Sequence, residues 1–298
     1  MSITFRKLHP LFAAEVSAID LRQVHDRDTL KAIRAGMDEH AVLVFRDQKF
    51  TIQEQLDFAQ RFDGKLHTKT GVSAILKNRL GDAPIGDISN VGADGKILQA
   101  DDRKRQYSLA NRLWHTDASF QDPAGRYSML SAQVIPEVRS DTQFADMRAA
   151  YDALDDDAKA SLEGLTVHHS IAYSRQTLGF EFSQEEQDRL KGAVHGIVRT
   201  NPRTKRRSLY IASHANRILQ KQLAEGRLML WELMAHATQR QFVYSHEWRV
   251  GDFVIWDNLA TMHRGTAFDD SKHRRELRRV TTLDLAYEFE SLGTAETV

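Results

Sequence analysis

The sequence predicts a mainly β fold with helical insertions, arranged as a β-sandwich or jelly roll with helices packed outside. Short apolar runs of strand length recur along the chain. The longer stretches between them place apolar residues at the three-to-four spacing of helices. A His-x-Asp pair, His115 and Asp117, is answered far downstream by His263. Residues i and i+2 of a strand point to the same side, so a β-rich scaffold can aim such a pair at one point.

Taken in order, 28–39 reads as a helix through Leu30, Ile33, Arg34 and Met37, and it leads into a buried strand over 41–45. Thr51 with Glu54 three residues on forms a capping box for a second helix, with Ile52, Leu56, Ala59 and Phe62 as its stripe and Gly64 as its stop. Residues 65–110 are polar and carry Gly71, Gly81, Pro84, Gly86, Gly92 and Gly95, so an irregular, lid-like segment is expected there. A strand is expected over 128–134, then helices over 147–154 and 156–162. Ser183 with Glu186 starts another helix, and 209–212 is strand-like. A strong helix is expected over 224–237, with Leu228, Trp231, Leu233 and Met234 apolar, then strands over 252–257 and 277–283.

The 298 residues show no repeat, low-complexity tract or linker, and contain five prolines and sixteen glycines, so one domain over 1–298 is expected. Acidic and basic residues number 41 each, giving zero formal charge. No global field then favours nucleic acid or an anionic membrane. With no cysteine, disulfides, thiolate metal sites and cysteine nucleophiles are excluded, and any metal must be held by His, Asp and Glu. The N-terminal stretch lacks the apolar run of a signal peptide and no segment approaches a membrane span, so a soluble, cytoplasmic protein is expected.

His115, Asp117 and His263 supply two imidazoles and one carboxylate. Three ligands on one face leave the opposite positions open, a pattern that points to non-heme Fe(II) and oxygen chemistry. The run 272–282 is densely basic. On a strand Arg275, Leu277 and Arg279 share one face, while Arg274, Glu276 and Arg278 share the other. An inward arginine needs an anionic partner, because an unpaired buried charge is prohibitive. A guanidinium meets a carboxylate through two parallel hydrogen bonds, so this face can hold two anions near His263. Thr142 offers a hydroxyl that could complete such a site or simply make a turn. Trp114 and Trp256 flank the ligand segments and suit core packing as well as substrate contact.

Together, His115-Thr116-Asp117, Asp141-Thr142, Trp256-Asp257-Asn258 leading to His263, and Arg275 with Arg279 resemble the taurine dioxygenase superfamily of Fe(II)/2-oxoglutarate dioxygenases. The likeness is greatest to its branch acting on the herbicide 2,4-dichlorophenoxyacetate, through stretches such as Asp87-Ile88-Ser89-Asn90-Val91 and Arg126-Tyr127-Ser128-Met129-Leu130, and it spans residues 8 to 285. The resemblance implies a double-stranded β-helix with Fe(II) at one open end. It implies His115, Asp117 and His263 as metal ligands, and Arg275 with Thr142 for the distal carboxylate of 2-oxoglutarate. Arg279 corresponds to the residue that takes the anionic head of the primary substrate, and Asn111, Lys69 and His214 match positions lining its pocket. The implied chemistry uses O2 and 2-oxoglutarate to hydroxylate a small organic acid, giving succinate and CO2. On an aryloxyacetate the product collapses to a phenol and glyoxylate. Family members are commonly homo-oligomers. Residues 64–71 and 168–175 depart from the herbicide branch around the substrate tail.

Three other readings stand beside this one. The same chemistry could serve a sulfonate, a sulfate ester or another carboxylate. A jelly-roll binding protein could hold a structural metal without turnover. Nucleic-acid binding through 272–282 would require arginines facing solvent on both faces of the strand.

Overall fold

A computed structural model describes residues 3–68, 78–81 and 84–285. In chain order its strands are β1 (Phe5–Lys7), β2 (Ala14–Val16), β3 (Val42–Phe45), β4 (Gly86–Ser89), β5 (Gly125–Val134), β6 (Thr142–Asp146), β7 (Thr166–His169), β8 (Ala193–Gly196), β9 (Val198–Thr200), β10 (Arg207–Leu209), β11 (Ala215–Ile218), β12 (Val243–His246), β13 (Phe253–Asp257), β14 (Thr261–Gly265) and β15 (Glu276–Leu283). The helices are α1 (Arg27–His40), α2 (Ile52–Asp63), α3 (Arg103–Leu109), α4 (Met147–Asp152), α5 (Asp156–Leu162), α6 (Ile171–Gln176), α7 (Gln184–Arg189) and α8 (Leu223–Ala237).

A large sheet in the order β1-β2-β3-β13-β5-β15-β4 packs against a smaller one in the order β12-β6-β14. Pairing is antiparallel throughout both, except where β2 runs parallel to β3. Side-chain alternation decides what each face meets. On β13, Phe253 and Ile255 turn outward onto Ile33 and Met37 of α1 and Phe58 and Phe62 of α2. Val254 and Trp256 turn inward, where they meet Phe144 of β6, Leu130 of β5 and Leu277 of β15. Each such large side chain contributes about 1.5–3 kcal/mol when fully buried. Helices α4 and α8 cover the far side of the small sheet, over Ala145 and Met262. This is the expected jelly roll with helices outside.

Local chemistry sets the helix ends. Asp26 accepts from the Thr29 N–H at 2.8 Å at the start of α1. Thr51 with Glu54, and Ser183 with Glu186, form both expected capping boxes. Gly64 ends α2 with φ 77°, a conformation that favours glycine.

Three expectations change. The described part of 65–110 is less irregular than its composition suggests, because β4 pairs with β15, Leu66 bridges Thr282 and α3 caps on Asp102. Strand β10 ends at Leu209, so 210–212 is not strand. On α8 the buried residues are Gly226, Leu230, Leu233 and Ala237, while Leu228 and Trp231 are 54% and 64% exposed. The 3.6-residue repeat puts 226, 230, 233 and 237 on one stripe, and 228 and 231 off it, whatever their hydrophobicity. Among the described residues no helix is long and apolar enough to cross a membrane.

Candidate active site

His115 and Asp117 lie just beyond α3, on an extended segment rather than in a regular strand. His115 makes an isolated bridge to His263 of β14. The His115 N–H donates to the His263 carbonyl at 2.9 Å, and the reverse bond is 2.7 Å. The chain then turns sharply, since Ala118 has φ 56°. The expected i, i+2 geometry survives, with both side chains on the inner side of the jelly roll. His115 Nε2 lies 4.0 Å from Asp117 Oδ1, and His263 Nε2 lies 3.8 Å from Asp117 Oδ2. Those gaps are too long for hydrogen bonds and suit donors that share one ion. His115 Nδ1 donates to the Leu113 carbonyl at 2.8 Å, which leaves Nε2 as a lone-pair donor.

The electrostatics agree. Burial pushes His115 down to about 4 against the pull of Asp117. Burial, then the neighbouring His115, holds His263 well below the ordinary imidazole value. Burial works against ionising Asp117, but Arg279 and both imidazoles outweigh it and bring the carboxyl to about 2. At neutral pH the cluster is two neutral imidazoles and a carboxylate, the protonation state that binds metal. The donor set therefore fits a divalent ion.

Asp117 is held from behind. The Ser128 hydroxyl of β5 donates to Asp117 Oδ2 at 2.7 Å. Asn258 Nδ2 donates to Ser128 Oγ at 3.0 Å, while Asn258 Oδ1 accepts from the Asp117 N–H at 3.1 Å and from Trp256 Nε1 at 3.0 Å. A hydroxyl has one proton, so Thr281, 3.1 Å from Ser128 Oγ, must be the donor of that pair. Gly125 lets β5 approach this closely, because a Cβ there would sit 2.9 Å from the Asp117 carbonyl oxygen.

The cluster opens into a cavity of about 370 Å³. Arg275, just before β15, lines it, and its Nε is buried with no hydrogen-bond partner. Burial pushes this guanidinium down to about 10, opposed by Asp141. Trp248 lies 6.0 Å beneath it and donates from Nε1 to the Thr142 hydroxyl at 3.0 Å. Thr142 opens β6 rather than making a turn. Arg279 shares the inner face and lines the cavity, and its Nη1 donates to Asp117 Oδ1. The alternation read from the sequence holds, since Val280 and Thr282 face α2 instead. With Arg275 and Arg279 turned inward, 272–282 does not present arginines to solvent on both faces.

Asn111 and His214 also line the cavity. Asn111 Oδ1 accepts from Arg175 Nη2 at 3.2 Å. His214 is fully enclosed, shares a hydrogen bond between Nδ1 and Ser174 Oγ at 2.9 Å, and stands edge-on to His115 with ring centroids 5.9 Å apart. Lys69 lies outside the described residues.

The family model for the taurine catabolism dioxygenase TauD, TfdA family matches residues 4–281. The chain belongs to this family. Among its relatives, the alpha-ketoglutarate-dependent 2,4-dichlorophenoxyacetate dioxygenase of Cupriavidus pinatubonensis is 47% identical over 285 residues, covering 95% of this chain and 99% of that one. The (S)-phenoxypropionate/alpha-ketoglutarate-dioxygenase of Sphingobium herbicidovorans is 34% identical, with 90% of each chain covered. The crystal structure of AAD-2 in complex with Mn(II) and N-oxalylglycine superposes with TM-score 0.91 at 43% identity, covering 95% of this chain and 98% of that one.

Within this TauD/TfdA dioxygenase, three residues that support the cavity from behind were given no role from the sequence. Asn258 stood inside the Trp256-Asp257-Asn258 motif without a role, and adjacency to Trp256 was its only signal. Ser128 lay in a run that read as plain strand. Trp248 carried no signal, because its relevance comes from Thr142, far away in sequence; Arg175 lies in the 168–175 run expected around the substrate tail, without a role of its own.

Proposed function

We propose that this protein is an Fe(II)- and 2-oxoglutarate-dependent dioxygenase that hydroxylates an aryloxyacetate such as 2,4-dichlorophenoxyacetate, with 1–298 acting as one domain. The observation that carries the reading is the His115–Asp117–His263 cluster sharing one cavity with inward-facing Arg275 and Arg279. The substrate class is supported by the 47% identity to a 2,4-dichlorophenoxyacetate dioxygenase. The inward orientation of Arg275 and Arg279 favours a small anion over nucleic acid as partner. A cytoplasmic location and a homo-oligomeric state belong to the same proposal, and sedimentation velocity checks the latter.

When bound, Fe(II) with 2-oxoglutarate as reductant supplies activation of O2 for insertion into a C–H bond. The chain's own work is positioning. His115, Asp117 and His263 would hold the ion, and the Ser128–Asn258 pair keeps the Asp117 carboxylate oriented within that cluster. Arg275 and Thr142 take the distal carboxylate of 2-oxoglutarate, in a pocket floored by Trp248. Arg279, with Asn111, His214 and Lys69, addresses the organic acid. Hydroxylation beside the ether oxygen gives a hemiacetal, which breaks its C–O bond to release the phenol and glyoxylate. The balance is aryloxyacetate, 2-oxoglutarate and O2 in; phenol, glyoxylate, succinate and CO2 out.

A panel of phenoxyacetates, alkyl sulfonates, sulfate esters and the amide of each carboxylate tests the substrate class. Succinate formation should be fastest with aryloxyacetates and poor with their amides. Sulfonates or sulfate esters outpacing every carboxylate would overturn the aryloxyacetate assignment.

A further inference from the structure

A second cavity, of about 540 Å³, adjoins the one that holds the His115–Asp117–His263 cluster. His67, Thr68, Phe120 and Ile171 line both, so these four side chains form the wall between them. The Phe120 ring stands edge-on to His214 with centroids 5.2 Å apart, and His214 stands edge-on to His115 at 5.9 Å. The wall therefore lies two ring contacts from a metal ligand. His67 and Thr68 belong to 64–71, and Ile171 to 168–175. These are the two runs that depart from the herbicide branch, and the fold brings them together at one passage.

The passage has an apolar part and a polar part. Phe120 packs on the cluster that contains Ile171, and such a surface suits the face or edge of an aryl ring. His67 Nδ1 donates to the Thr68 carbonyl at 3.2 Å, which leaves Nε2 as an acceptor. That Nε2 is buried without a hydrogen-bond partner, and so is Oε1 of Gln121 in the second cavity. Burial holds the His67 imidazole below its ordinary value, so the acceptor stays neutral. Buried polar atoms are almost always paired, so two orphaned acceptors at one passage call for donors on a ligand. Around the second cavity Asp122 and Asp188 are matched by Arg189 and Lys191, so it favours neither sign of charge.

We propose that the second cavity is a tail subsite, and that the preferred substrate is an aryloxyacetate whose para position carries an uncharged extension with an N–H or O–H donor. The inference rests on the reading that the substrate is an aryloxyacetate. The carboxylate stays with Arg279, the ring packs on Phe120 and Ile171, and the extension passes the wall to donate to His67 and Gln121. 2,4-Dichlorophenoxyacetate carries no such donor, which gives the departures at 64–71 and 168–175 a chemical meaning.

Three acids and two variants test it. Phenoxyacetate has no tail, 4-acetamidophenoxyacetate has a tail with an N–H, and its ketone isostere replaces that N–H with CH2. Phenol release gives kcat/KM for each, and anaerobic calorimetry on enzyme loaded with Fe(II) and 2-oxoglutarate gives affinity without turnover. Wild type should favour the acetamido acid at least tenfold over the ketone and over phenoxyacetate, in both readouts. His67→Phe keeps a ring and removes the acceptor, so the acetamido-to-ketone ratio should fall toward one. Lys191→Trp narrows the second cavity from its exposed rim, so both tailed acids should lose more than phenoxyacetate does. Turnover of phenoxyacetate with no gain from the acetamido tail overturns the subsite and leaves the aryloxyacetate reading standing. Ratios unchanged in both variants overturn it too; should His67→Phe fail to fold, unchanged ratios in Lys191→Trp suffice. Turnover of none of the three acids overturns the aryloxyacetate reading itself, a failure visible before any variant is made.

Discussion

On β5, Tyr127 and Met129 face the helices α1 and α2, whereas Ser128 between them turns inward and donates to Asp117. On β15, Val280 faces the same helices, while Arg279 and Thr281 line the cavity. The outer face is closed and apolar: Phe50, Phe58, Phe62, Tyr127 and Phe253 pack ring against ring at 4.8–6.1 Å. The inner face is apolar in its middle, around Phe144, Trp256 and Leu277, and polar at the end where His115, Asp117 and His263 meet. The difference teaches how one set of strands supports two tasks. A strand's period of two lets each residue be selected for stability or for chemistry without moving its neighbour.

The largest expected effect breaks the inner face alone. Asp117→Ala should abolish turnover and leave the thermal midpoint of the metal-free protein close to wild type, as read by a product assay beside circular dichroism. His115→Ala and His263→Ala should do the same. Full activity in any one of them removes that residue from the metal site.

Next in size is Arg275→Gln. Removing one partner of a buried charged pair costs on the order of 2–5 kcal/mol, so the KM for 2-oxoglutarate should rise steeply while that for the organic acid changes little. A variant with an unchanged 2-oxoglutarate requirement would contradict the role given to Arg275.

Adjacent residues of one strand sharpen the comparison further. Met129→Ala should cost roughly 2–5 kcal/mol of stability by opening a cavity under α2, with kcat/KM preserved in the folded fraction. Ser128→Ala should lower kcat/KM by loosening Asp117, and should also cost about 1.5–3 kcal/mol of stability through loss of a buried hydrogen bond to a charged group. Denaturant titration and steady-state kinetics on both variants separate the two losses. If activity and stability fall together in each, the two faces are not independent.

The smallest effect concerns pH. Burial pushes the Asp63 carboxyl up to about 7, although the Thr282 hydroxyl, donating at 2.7 Å, favours the charged form. The folded pKa exceeds the unfolded one near 3.9, so the folded state holds the proton more tightly. Its stabilising contribution is fully present below about 4 and is lost as pH rises through about 7. Asp63→Asn should flatten that decline in thermal midpoint between pH 5 and pH 8. An identical slope in variant and wild type would show that Asp63 titrates normally.

Much of the fold was legible because its signals are local. Thr51 with Glu54, and Ser183 with Glu186, mark helix starts within four residues. The inward set Arg275, Leu277 and Arg279 comes from alternation alone. What the sequence hid depends on distant partners. Leu228 and Trp231 look like a buried stripe until Gly226 and Leu230 are seen to face β11 and the core. Asn258 and Ser128 acquire meaning only when β13 pairs with β5 behind Asp117.

The most direct test of the account is a single reaction with three readouts. Wild-type enzyme with Fe(II), 2-oxoglutarate and 2,4-dichlorophenoxyacetate is monitored for O2 uptake, succinate and 2,4-dichlorophenol. The account predicts that the three change in equal amounts and that all three vanish in Asp117→Ala. Phenol released without 2-oxoglutarate consumption, or succinate formed at the same rate with and without the acid, would contradict it.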